Sequence, residues 1–484
     1  MLPFMAQGHL IPFLALANRI HTTFGFTVTI ATTPLNARYL RAAMATHTAT
    51  GPNHIHISEL EFDAPRHGLP PNTENTESLP LHLIVNLFHS STCLETPFRA
   101  LIQQISSSDG KPPLCIISDV FTGWANAVAA SCNTVNVTFT TGGAYGTAAY
   151  ISLWQHLPHK HKDTEIDPYF NLPGFPDSIN FHVTHLHRFL RAADGTDPWS
   201  RFFQPQIRSS LDSFGWLCNT AEEIEPLGLN ILRRYTNRPV WSIGPLIPRV
   251  MTSSGSVRHT GREPGVSTEI CLRWLDSHQP RSVLYVSFGS QNSIGRQQMM
   301  ALAEGLEDSG RPFVWVVRPP VEFDVRGEFL PEWLPEGFEG KRQGLVVRGW
   351  APQPEILCHV STGAFVSHCG WNSVMESLSQ GVPLIGWPLA AEQGYNAKML
   401  VEEMGVCVEM ARGVGSRVER EEVRSVIERV MGEGEGLRRR AGEIRDIITR
   451  ALAVDDEEEE SGSSVKALDD FVTALLSRQN KADA

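Results

Sequence analysis

The stretch "GAFVSHCGWNSVMESLSQGVPLIGWP", residues 363–388, decides the fold class of this chain. It opens with "GAFVSH", an apolar run typical of a strand that is buried on both faces of a sheet. "CGW" then predicts a tight turn, and "NSVMESLSQG" predicts a helix with Asn372 or Ser373 as its N-cap and Gly381 as its stop. "VPLIGWP" predicts the next buried strand. Strand, helix and strand in this order indicate a parallel α/β sheet.

The same alternation of strand and helix patterns extends through both halves of the chain. Further strands are predicted at residues 26–33, 113–119 and 134–140 and at 282–288, 312–317 and 344–350, with helices at 10–21 and 121–132. This alternation predicts two doubly wound α/β domains that face each other.

The polar segment 251–268 is the predicted linker between these domains. It separates a first domain, residues 1–250, from a second domain, residues 269–460. A final amphipathic helix at 461–484 is expected to pack back on the first domain.

Composition argues against several classes of partner. The 484 residues carry 41 Lys and Arg against 53 Asp and Glu, a formal charge of −12, which disfavours nucleic acid and anionic membranes. The eight cysteines are scattered, as in reduced intracellular proteins. No apolar run reaches the roughly 18 residues of a membrane span, and the N-terminus lacks the basic region of a signal peptide. A cytoplasmic monomer is therefore expected.

Three kinds of site fit the polar side chains of residues 365–377. A metal site is disfavoured because the cysteines and histidines form two adjacent pairs, Cys358–His359 and His368–Cys369. Adjacent strand residues point to opposite faces, and no zinc spacing is present. A Cys369 nucleophile would need a base and a third group that orients this base, and nothing local supplies that third group.

A phosphate site fits the stretch best. Gly370 permits a close approach of backbone to ligand, and the N–H groups and dipole of a helix start favour an anion. Asn372, Ser373 and His368 add hydrogen-bond donors. Glu376 lies one turn further along the same helix face, where a carboxylate suits paired ribose hydroxyls. An ordinary helix cap is the simpler alternative for this pattern taken alone.

The ends of neighbouring predicted strands carry complementary side chains. Trp350 ends one strand before a proline-bounded turn, where its ring can stack on a planar base. Glu392 and Gln393 follow the strand at 382–388 and suit a polyhydroxylated sugar. Open α/β sheets bind ligands at the carboxyl ends of their strands, which is where these residues fall.

Residues 350–393, "WAPQPEILCHVSTGAFVSHCGWNSVMESLSQGVPLIGWPLAAEQ", are similar to the 44-residue signature of the plant UDP-dependent glycosyltransferases. Further matches, "AQGHLIP", "ISDVFTGWA", "NTAEEIE" and "YVSFGS", spread the resemblance over nearly the whole chain. The resemblance implies the α/β GT-B fold, with two Rossmann-like doubly wound parallel-sheet domains facing across a cleft. It assigns the acceptor largely to the first domain and the donor to the second.

The resemblance also implies roles for the matching residues of the donor site. Trp350 would stack on uracil, while the Ala351 backbone and Gln353 hydrogen-bond the base. Glu376 would bind the ribose. The diphosphate-binding residues would be Ser290, His368, Asn372 and Ser373, with Gly370 in the turn, and the sugar-contacting residues Thr141, Trp371, Glu392 and Gln393.

The implied donor is UDP-glucose. A tryptophan within the signature and a glutamine at its end are associated with glucose in this family, and Trp371 and Gln393 stand there. UDP-glucose is a co-substrate, and neither a metal nor another cofactor is expected.

His9 and Asp119 are the candidate catalytic residues. His9 lies in "AQGHLIP", between a strand remnant and a helix whose start Pro12 marks, and Asp119 ends the strand "LCIISD". Taken alone, such a histidine is usually structural, and such an aspartate caps the next helix. The resemblance implies that His9 is the general base of an inverting transfer and that Asp119 orients the imidazole.

The acceptor is expected to bind among residues 60–95, 120–150 and 180–205. Their aromatic side chains suit a flat lipophilic molecule with a hydroxyl, whether phenolic, flavonoid or terpenoid. Three alternatives stay open: another UDP-sugar (galactose, rhamnose or xylose), a non-catalytic UDP-sugar-binding protein, or a dehydrogenase, which the missing G-x-G-x-x-G disfavours.

The sequence departs from the family pattern at two positions. The first strand is short because the chain starts at Met1, and Gly394 stands where many relatives carry a larger side chain.

Overall fold

The structure is a computed structural model that describes residues 1–45, 55–77, 79–161, 166–248, 251, 265–324, 327–340, 343–454 and 461–483. The chain forms two compact units. The first unit comprises Met1–Val183, Arg188–Leu246 and Arg450–Ala484, and the second comprises Thr184–His187 and Ile247–Thr449. Most of the predicted linker, residues 252–264, lies outside the described residues.

The strands and helices follow one another in alternation along much of the chain. The strands are β1 Val28–Thr32, β2 Ile55–Glu59, β3 Ile116–Asp119, β4 Asn136–Thr140, β5 Tyr169–Asn171, β6 Asn180–His182, β7 Trp216–Cys218, β8 Val240–Ser242, β9 Val283–Ser287, β10 Phe313–Val317, β11 Gly344–Arg348, β12 Thr362–Ser367, β13 Leu384–Gly386 and β14 Cys407–Glu409. The helices are α1 Gln7–Phe24, α2 Pro34–Ala45, α3 Ile84–Ser90, α4 Glu95–Asp109, α5 Ala125–Ser131, α6 Ala144–His156, α7 Arg188–Ala192, α8 Pro198–Leu211, α9 Pro226–Thr236, α10 Thr268–Asp276, α11 Arg296–Asp308, α12 Gln353–Cys358, α13 Trp371–Ser379, α14 Gln393–Glu402, α15 Arg420–Met431, α16 Glu435–Leu452 and α17 Ser463–Asp483.

In the first unit, the two N-terminal residues act as a short strand between two groups of parallel strands. The groups are β1–β2 and β3–β4–β7–β8. The Leu2 N–H donates to Ile117 O at 2.8 Å, and Leu2 O accepts from the Asp119 N–H at 3.0 Å. On the other side, Met1 O accepts from the Ala31 N–H at 2.9 Å. The first strand is therefore as short as predicted, and it still joins β1 to β3.

The last helix, α17, packs on the core of the first unit. Leu468, Phe471, Val472 and Leu475 are buried there among side chains of β1, β3 and β4. The Phe471 ring lies 5.2 Å from that of Trp241 on β8. This apolar contact explains why α17 belongs to the first unit.

The second unit contains one parallel sheet in the strand order β11-β10-β9-β12-β13-β14 over the described residues. The five strands predicted in this half are present, whereas β14 was not predicted. Chain order reverses between β9 and β12, since β10 lies on one side of β9 and β12 on the other. Such a switch point is where doubly wound sheets bind ligands, outside the carboxyl ends of the strands.

Two predicted helix starts are wrong. Helix α1 begins at Gln7, five residues before Pro12, so His9 lies in its first turn and Pro12 in its interior. Helix α13 begins at Trp371 with Gly370 as N-cap, which puts Asn372 and Ser373 inside the first turn. In both helices the N-cap residue, Ala6 in α1 and Gly370 in α13, is extended and has no polar side chain, so no side-chain cap marks the start in the sequence.

The predicted end of helix α13 is confirmed. Gly381 has a φ of +68°, the left-handed conformation that glycine adopts most readily and that stops a helix. Among the described residues, no helix combines the length and apolarity that a membrane span requires.

Candidate active site

The first unit brings His9 and Asp119 together. Nδ1 of His9 lies 2.5 Å from Oδ2 of Asp119, which is fully buried, whereas the His9 side chain is 21% exposed. The other carboxylate oxygen, Oδ1, accepts the backbone N–H of Phe121 at 3.0 Å. Asp119 therefore orients the imidazole and also binds the segment before α5. With the Nδ1–H donated to the carboxylate, Nε2 is the basic nitrogen of the ring.

Aromatic rings surround the His9 imidazole. The ring centroids of Phe4 and Phe121 lie 5.7 Å and 5.5 Å from that of His9. Phe88 contacts both phenyl rings, with centroid distances of 4.4 Å and 5.7 Å. We call the linked rings the aromatic cluster; its members are Phe4, Phe88, Phe121, Tyr150, Trp199 and Phe203. The base candidate thus lies beside an apolar wall in the part of the chain where the acceptor was expected.

Thr141 follows β4 and lies beside the dyad. Its Oγ1 is 3.5 Å from Nδ1 of His9. The structure therefore brings together all three residues that the sequence selected in the first unit.

The predicted donor residues other than Thr141 lie in the second unit, beyond the carboxyl ends of strands of its sheet. Ser290 follows β9, Trp350 follows β11, and Gly370 follows β12. Glu392 and Gln393 follow β13. The carboxyl ends of neighbouring parallel strands meet at one edge, and Ser290 and Gly370 flank the switch point between β9 and β12.

Gln353, predicted to bind the base, and Glu376, predicted to bind the ribose, are hydrogen-bonded to one another. Nε2 of Gln353 donates to Oε2 of Glu376 at 2.7 Å and to Oγ of Ser373 at 3.1 Å. Oε1 of Gln353 accepts from the Tyr285 hydroxyl at 3.2 Å. Ala351 O accepts from the Gln353 N–H at 2.8 Å, and this contact starts α12. These bonds fix the Gln353 amide and the Glu376 carboxylate in definite orientations.

His368 is held between two glycines. A Cβ atom added to Gly289 or to Gly370 would lie 2.5 Å from Nε2 of His368. The residue with a left-handed φ in this turn is Cys369, at +62°, so Gly370 makes room for the imidazole rather than supplying an unusual backbone angle. Burial and then the Arg318 charge lower the His368 pKa to about 4. The ring is neutral at pH 7 and can donate one hydrogen bond to an anion.

Arg318 organises the loop that carries Ser290, and the sequence reasoning missed it. It follows β10, and its Nη1 donates to Ser290 O at 2.5 Å. Its Nη2 donates to Gly289 O and Asn292 O. One guanidinium therefore donates hydrogen bonds to three carbonyl oxygens of the 289–292 loop. The sequence feature that could have identified Arg318 is its position directly after a buried strand, at the sheet edge where the ligand was predicted to bind.

The sugar-site candidates are fixed by their own backbone. Oε1 of Gln393 accepts the N–H groups of Leu389 and Ala390 at 2.9 Å and 2.8 Å, which directs the amide. Glu392 Oε1 lies 3.5 Å from Nδ2 of Asn396, which also donates to Cys369 O at 3.0 Å. Asn396 was not predicted; it ties α14 to the turn after β12. Trp371 is 2% exposed, so its ring belongs largely to the core.

The structure accounts for the small residue at position 394. A Cβ atom on Gly394 would lie 2.4 Å from the carbonyl oxygen of His185, within the second unit. Because that neighbour is backbone, a larger side chain requires the 184–187 segment to move.

His359, one of the residues considered for a metal, has other partners. His359 bonds Ser361 Oγ at 2.8 Å and Asp276 Oδ1 at 3.1 Å. Over the described ranges, no group of three or more His, Cys, Asp or Glu side chains is arranged to hold a metal ion. The absence of a metal requirement stays a prediction.

Two family models match this chain. Residues 244–433 match the model described as "UDP-glucoronosyl and UDP-glucosyl transferase", and residues 1–172 match "Glycosyltransferase, N-terminal domain". Together they cover parts of both units.

Known plant proteins are similar over nearly the full length. "Crocetin glucosyltransferase 3" of Crocus sativus is 44% identical, covering 90% of each chain. The crystal structure of Glycyrrhiza uralensis UGT73P12, complexed with glycyrrhetinic acid 3-O-monoglucuronide, has a TM-score of 0.84 at 30% identity and covers 100% of this chain and 96% of its own. Phytolacca americana UGT2, complexed with UDP-2fluoro-glucose and pterostilbene, has a TM-score of 0.76 at 27% identity and covers 98% of each chain.

These likenesses confirm the predicted α/β GT-B class, since both units have the Rossmann-like parallel sheets that it requires. The chain belongs to the plant UDP-dependent glycosyltransferases, which act on small metabolites.

Proposed function

We propose that this enzyme transfers glucose from UDP-glucose to a hydroxyl of a small lipophilic plant metabolite, with inversion at the anomeric carbon. The observation that carries the proposal is the bond between His9 Nδ1 and the buried Asp119 carboxylate. A histidine oriented in this way is suited to take a proton near neutral pH.

The chemistry follows from the dyad. Nε2 of His9 removes the proton of the acceptor hydroxyl as its oxygen attacks C1 of the sugar, and the bond from C1 to the UDP oxygen breaks. The Asp119 carboxylate stabilises the imidazolium that forms. Attack opposite the leaving group converts an α-linked donor into a β-glucoside.

The proposed donor site lies at the carboxyl edge of the sheet in the second unit. Trp350 stacks on uracil, Ala351 and Gln353 bind the base, and Glu376 binds the ribose. The hydrogen bond between Gln353 and Glu376 supports this pair of roles because it fixes the two side chains relative to one another.

The diphosphate is proposed to lie at the start of α13. Asn372 and Ser373 in the first turn, with His368 and Ser290, donate to its oxygens. The helix start favours an anion, and the neutral His368 offers a donor without a change of protonation. No metal is required in this proposal because these protein donors stabilise the departing UDP.

Glucose is the proposed sugar, contacted by Thr141, Trp371, Glu392 and Gln393. The fixed Gln393 amide supports this choice, since Oε1 is used by the backbone and Nε2 remains as a directed donor. The glucosyl transfer named for the Crocus relative and the UDP-2fluoro-glucose named for the Phytolacca protein add support. Other UDP-sugars are the alternative, because small changes in neighbouring loops are enough to accommodate a sugar that differs from glucose at one hydroxyl.

The proposed acceptor is flat and lipophilic. The aromatic cluster beside His9 supports this class because its rings offer an apolar wall next to the base. Half-buried faces of Phe88, Phe121 and Trp199 lie in that wall. Phenolic, flavonoid and terpenoid alcohols all fit such a surface. The monomeric state and the cytoplasmic location stay predictions.

One experiment tests donor and acceptor together. The purified enzyme is incubated with UDP-glucose, UDP-galactose, UDP-rhamnose or UDP-xylose and a panel of phenols, flavonoids and terpenoid alcohols, and products are read by mass spectrometry. We expect the largest yield from UDP-glucose and β-configuration of the product by NMR. UDP binding without transfer to any acceptor would instead favour a non-catalytic UDP-sugar-binding protein.

A further inference from the structure

We propose that Glu225 is a positioning residue of the transfer reaction, which acts together with Asn219 to fix Thr141 beside His9. The inference rests on the proposed function, in which Thr141 contacts the transferred sugar. Its basis is a set of hydrogen bonds from the "NTAEEIE" segment, residues 219–225, to the loop between β4 and α6.

The Glu225 carboxylate caps a helix other than its own. Its Oε2 accepts the Ala144 N–H at 2.9 Å, and its Oε1 accepts the Tyr145 N–H at 3.0 Å. These are the first two residues of α6, whose N-cap, Gly143, has no side chain to serve them. Glu225 precedes α9 and makes no side-chain cap bond to that helix. Both oxygens of its carboxylate thus bind the start of α6.

Asn219 holds the other side of the same loop. Its Nδ2 donates to Thr141 O at 3.2 Å, while its Oδ1 accepts the Leu246 N–H at 2.7 Å. Its own backbone N–H donates to Thr140 O at 3.3 Å. The loop is therefore held on both sides of Gly142 and Gly143 by one segment of chain.

Close packing leaves the two helices little freedom to slide. A Cβ atom on Gly228 of α9 would lie 2.4 Å from the backbone nitrogen of Tyr145. Glu225 is 2% exposed and Asn219 is 1% exposed, so water cannot readily replace their bonds.

The contacts of Glu225 and Asn219 fix the position of Thr141. Its hydroxyl lies 3.5 Å from His9 Nδ1, and its carbonyl is the group that Asn219 binds. Two adjacent glycines follow it, so the backbone on that side is intrinsically permissive. Loss of the Glu225 contacts is expected to let Thr141 move without disturbing the bond between His9 and Asp119.

A double-mutant cycle tests this inference. Glu225→Gln keeps the size of the side chain and loses one of the two acceptors. We expect it to lower the rate of glucosyl transfer about tenfold, with UDP affinity unchanged. In a Thr141→Ala background the same change should lower the rate by less than about twofold, because the residue being positioned is already gone. The Ala144 and Tyr145 amides should exchange hydrogen faster in the Glu225→Gln variant.

Controls separate this role from general damage to the fold. Ser267→Ala removes a helix-capping side chain of α10 in the second unit, where Ser267 Oγ accepts the Ile270 N–H. It should leave transfer unchanged. Glu225→Asp, which shortens the carboxylate but retains both oxygens, should recover part of the rate. Should Glu225→Gln not fold, the Glu225→Asp cycle with Thr141→Ala gives the same comparison.

Two results would overturn the inference. One is an unchanged transfer rate in folded Glu225→Gln, and the other is the same fold-loss with and without Thr141. Failure of the proposed function is distinguishable, since it would appear as full transfer in a His9→Ala variant whatever the Glu225 result.

Discussion

Asp119 Oδ2 lies 2.5 Å from His9 Nδ1, and Asp119 Oδ1 accepts the Phe121 N–H at 3.0 Å. One buried carboxylate therefore orients the imidazole and fixes the loop that carries a ring of the aromatic cluster. The base and the apolar wall beside it are coupled through this residue.

The first prediction concerns the Asp119 charge. Asp119→Asn preserves the shape of the side chain but removes the negative charge that stabilises the imidazolium. We expect transfer to fall about a hundredfold or more, measured as product formation at saturating UDP-glucose. The matched control is Asp276→Asn, because Asp276 also pairs with a histidine, His359, on the surface of the second unit. Equal losses in both variants would contradict a specific role for Asp119.

The second prediction concerns Arg318. Lysine cannot reproduce the planar fork that reaches three carbonyls of the 289–292 loop. Arg318→Lys should weaken UDP binding about tenfold, as measured by calorimetry. Arg417→Lys, at an exposed ion pair with Glu419, should have no effect. Unchanged UDP affinity in Arg318→Lys would remove the loop from the proposed diphosphate site.

The third prediction concerns the glycine after Cys369. In Gly370→Ala the added methyl would lie 2.5 Å from His368 Nε2, so the imidazole must rotate. We expect UDP affinity to fall about tenfold with little change in the melting temperature. Gly442→Ala on α16 is the control, because a Cβ atom added there would meet nothing within 4 Å. A Gly370→Ala variant that binds UDP normally would show that His368 does not contact the diphosphate.

The fourth prediction is a pH dependence of stability. Burial raises the pKa of Glu225 to about 7, against an ordinary value of 4.5, despite the hydrogen bonds that favour its charged form. The folded state therefore binds this proton more tightly, so the stabilisation is complete below pH 4.5 and is lost as pH rises through 7. Glu225→Gln lacks this loss. The melting temperature of the variant minus that of the parent protein should therefore increase from pH 5 to pH 8. A difference that does not change with pH would contradict the burial effect.

Much of the fold was predictable because the strands of the second unit are short, continuous apolar runs. "FVWVV" and "AFVS" are almost entirely buried, as expected for strands covered on both faces. Strand β14, "CVE", was missed because three residues with a terminal glutamate give no such run. The start of α1 was missed because a proline is typical of a first turn, whereas α1 tolerates Pro12 in its interior.

The sequence selected the candidate site residues but gave no information on the contacts between them. Gln353 and Glu376 were predicted to have separate roles, and only the structure reveals that Nε2 of Gln353 lies 2.7 Å from Oε2 of Glu376. Arg318 and Glu225 were missed because each acts on backbone groups of a distant loop. Such bonds leave no periodicity or spacing in the sequence.

The most direct test of the central claim is the transfer rate of a His9→Ala variant, measured by mass spectrometry with UDP-glucose and the best acceptor of the panel. UDP affinity is measured in parallel, since His9 belongs to the first unit and the diphosphate donors to the second. The account predicts that transfer falls by a factor of about a hundred to ten thousand while UDP binding is retained. Transfer at the unchanged rate would contradict it.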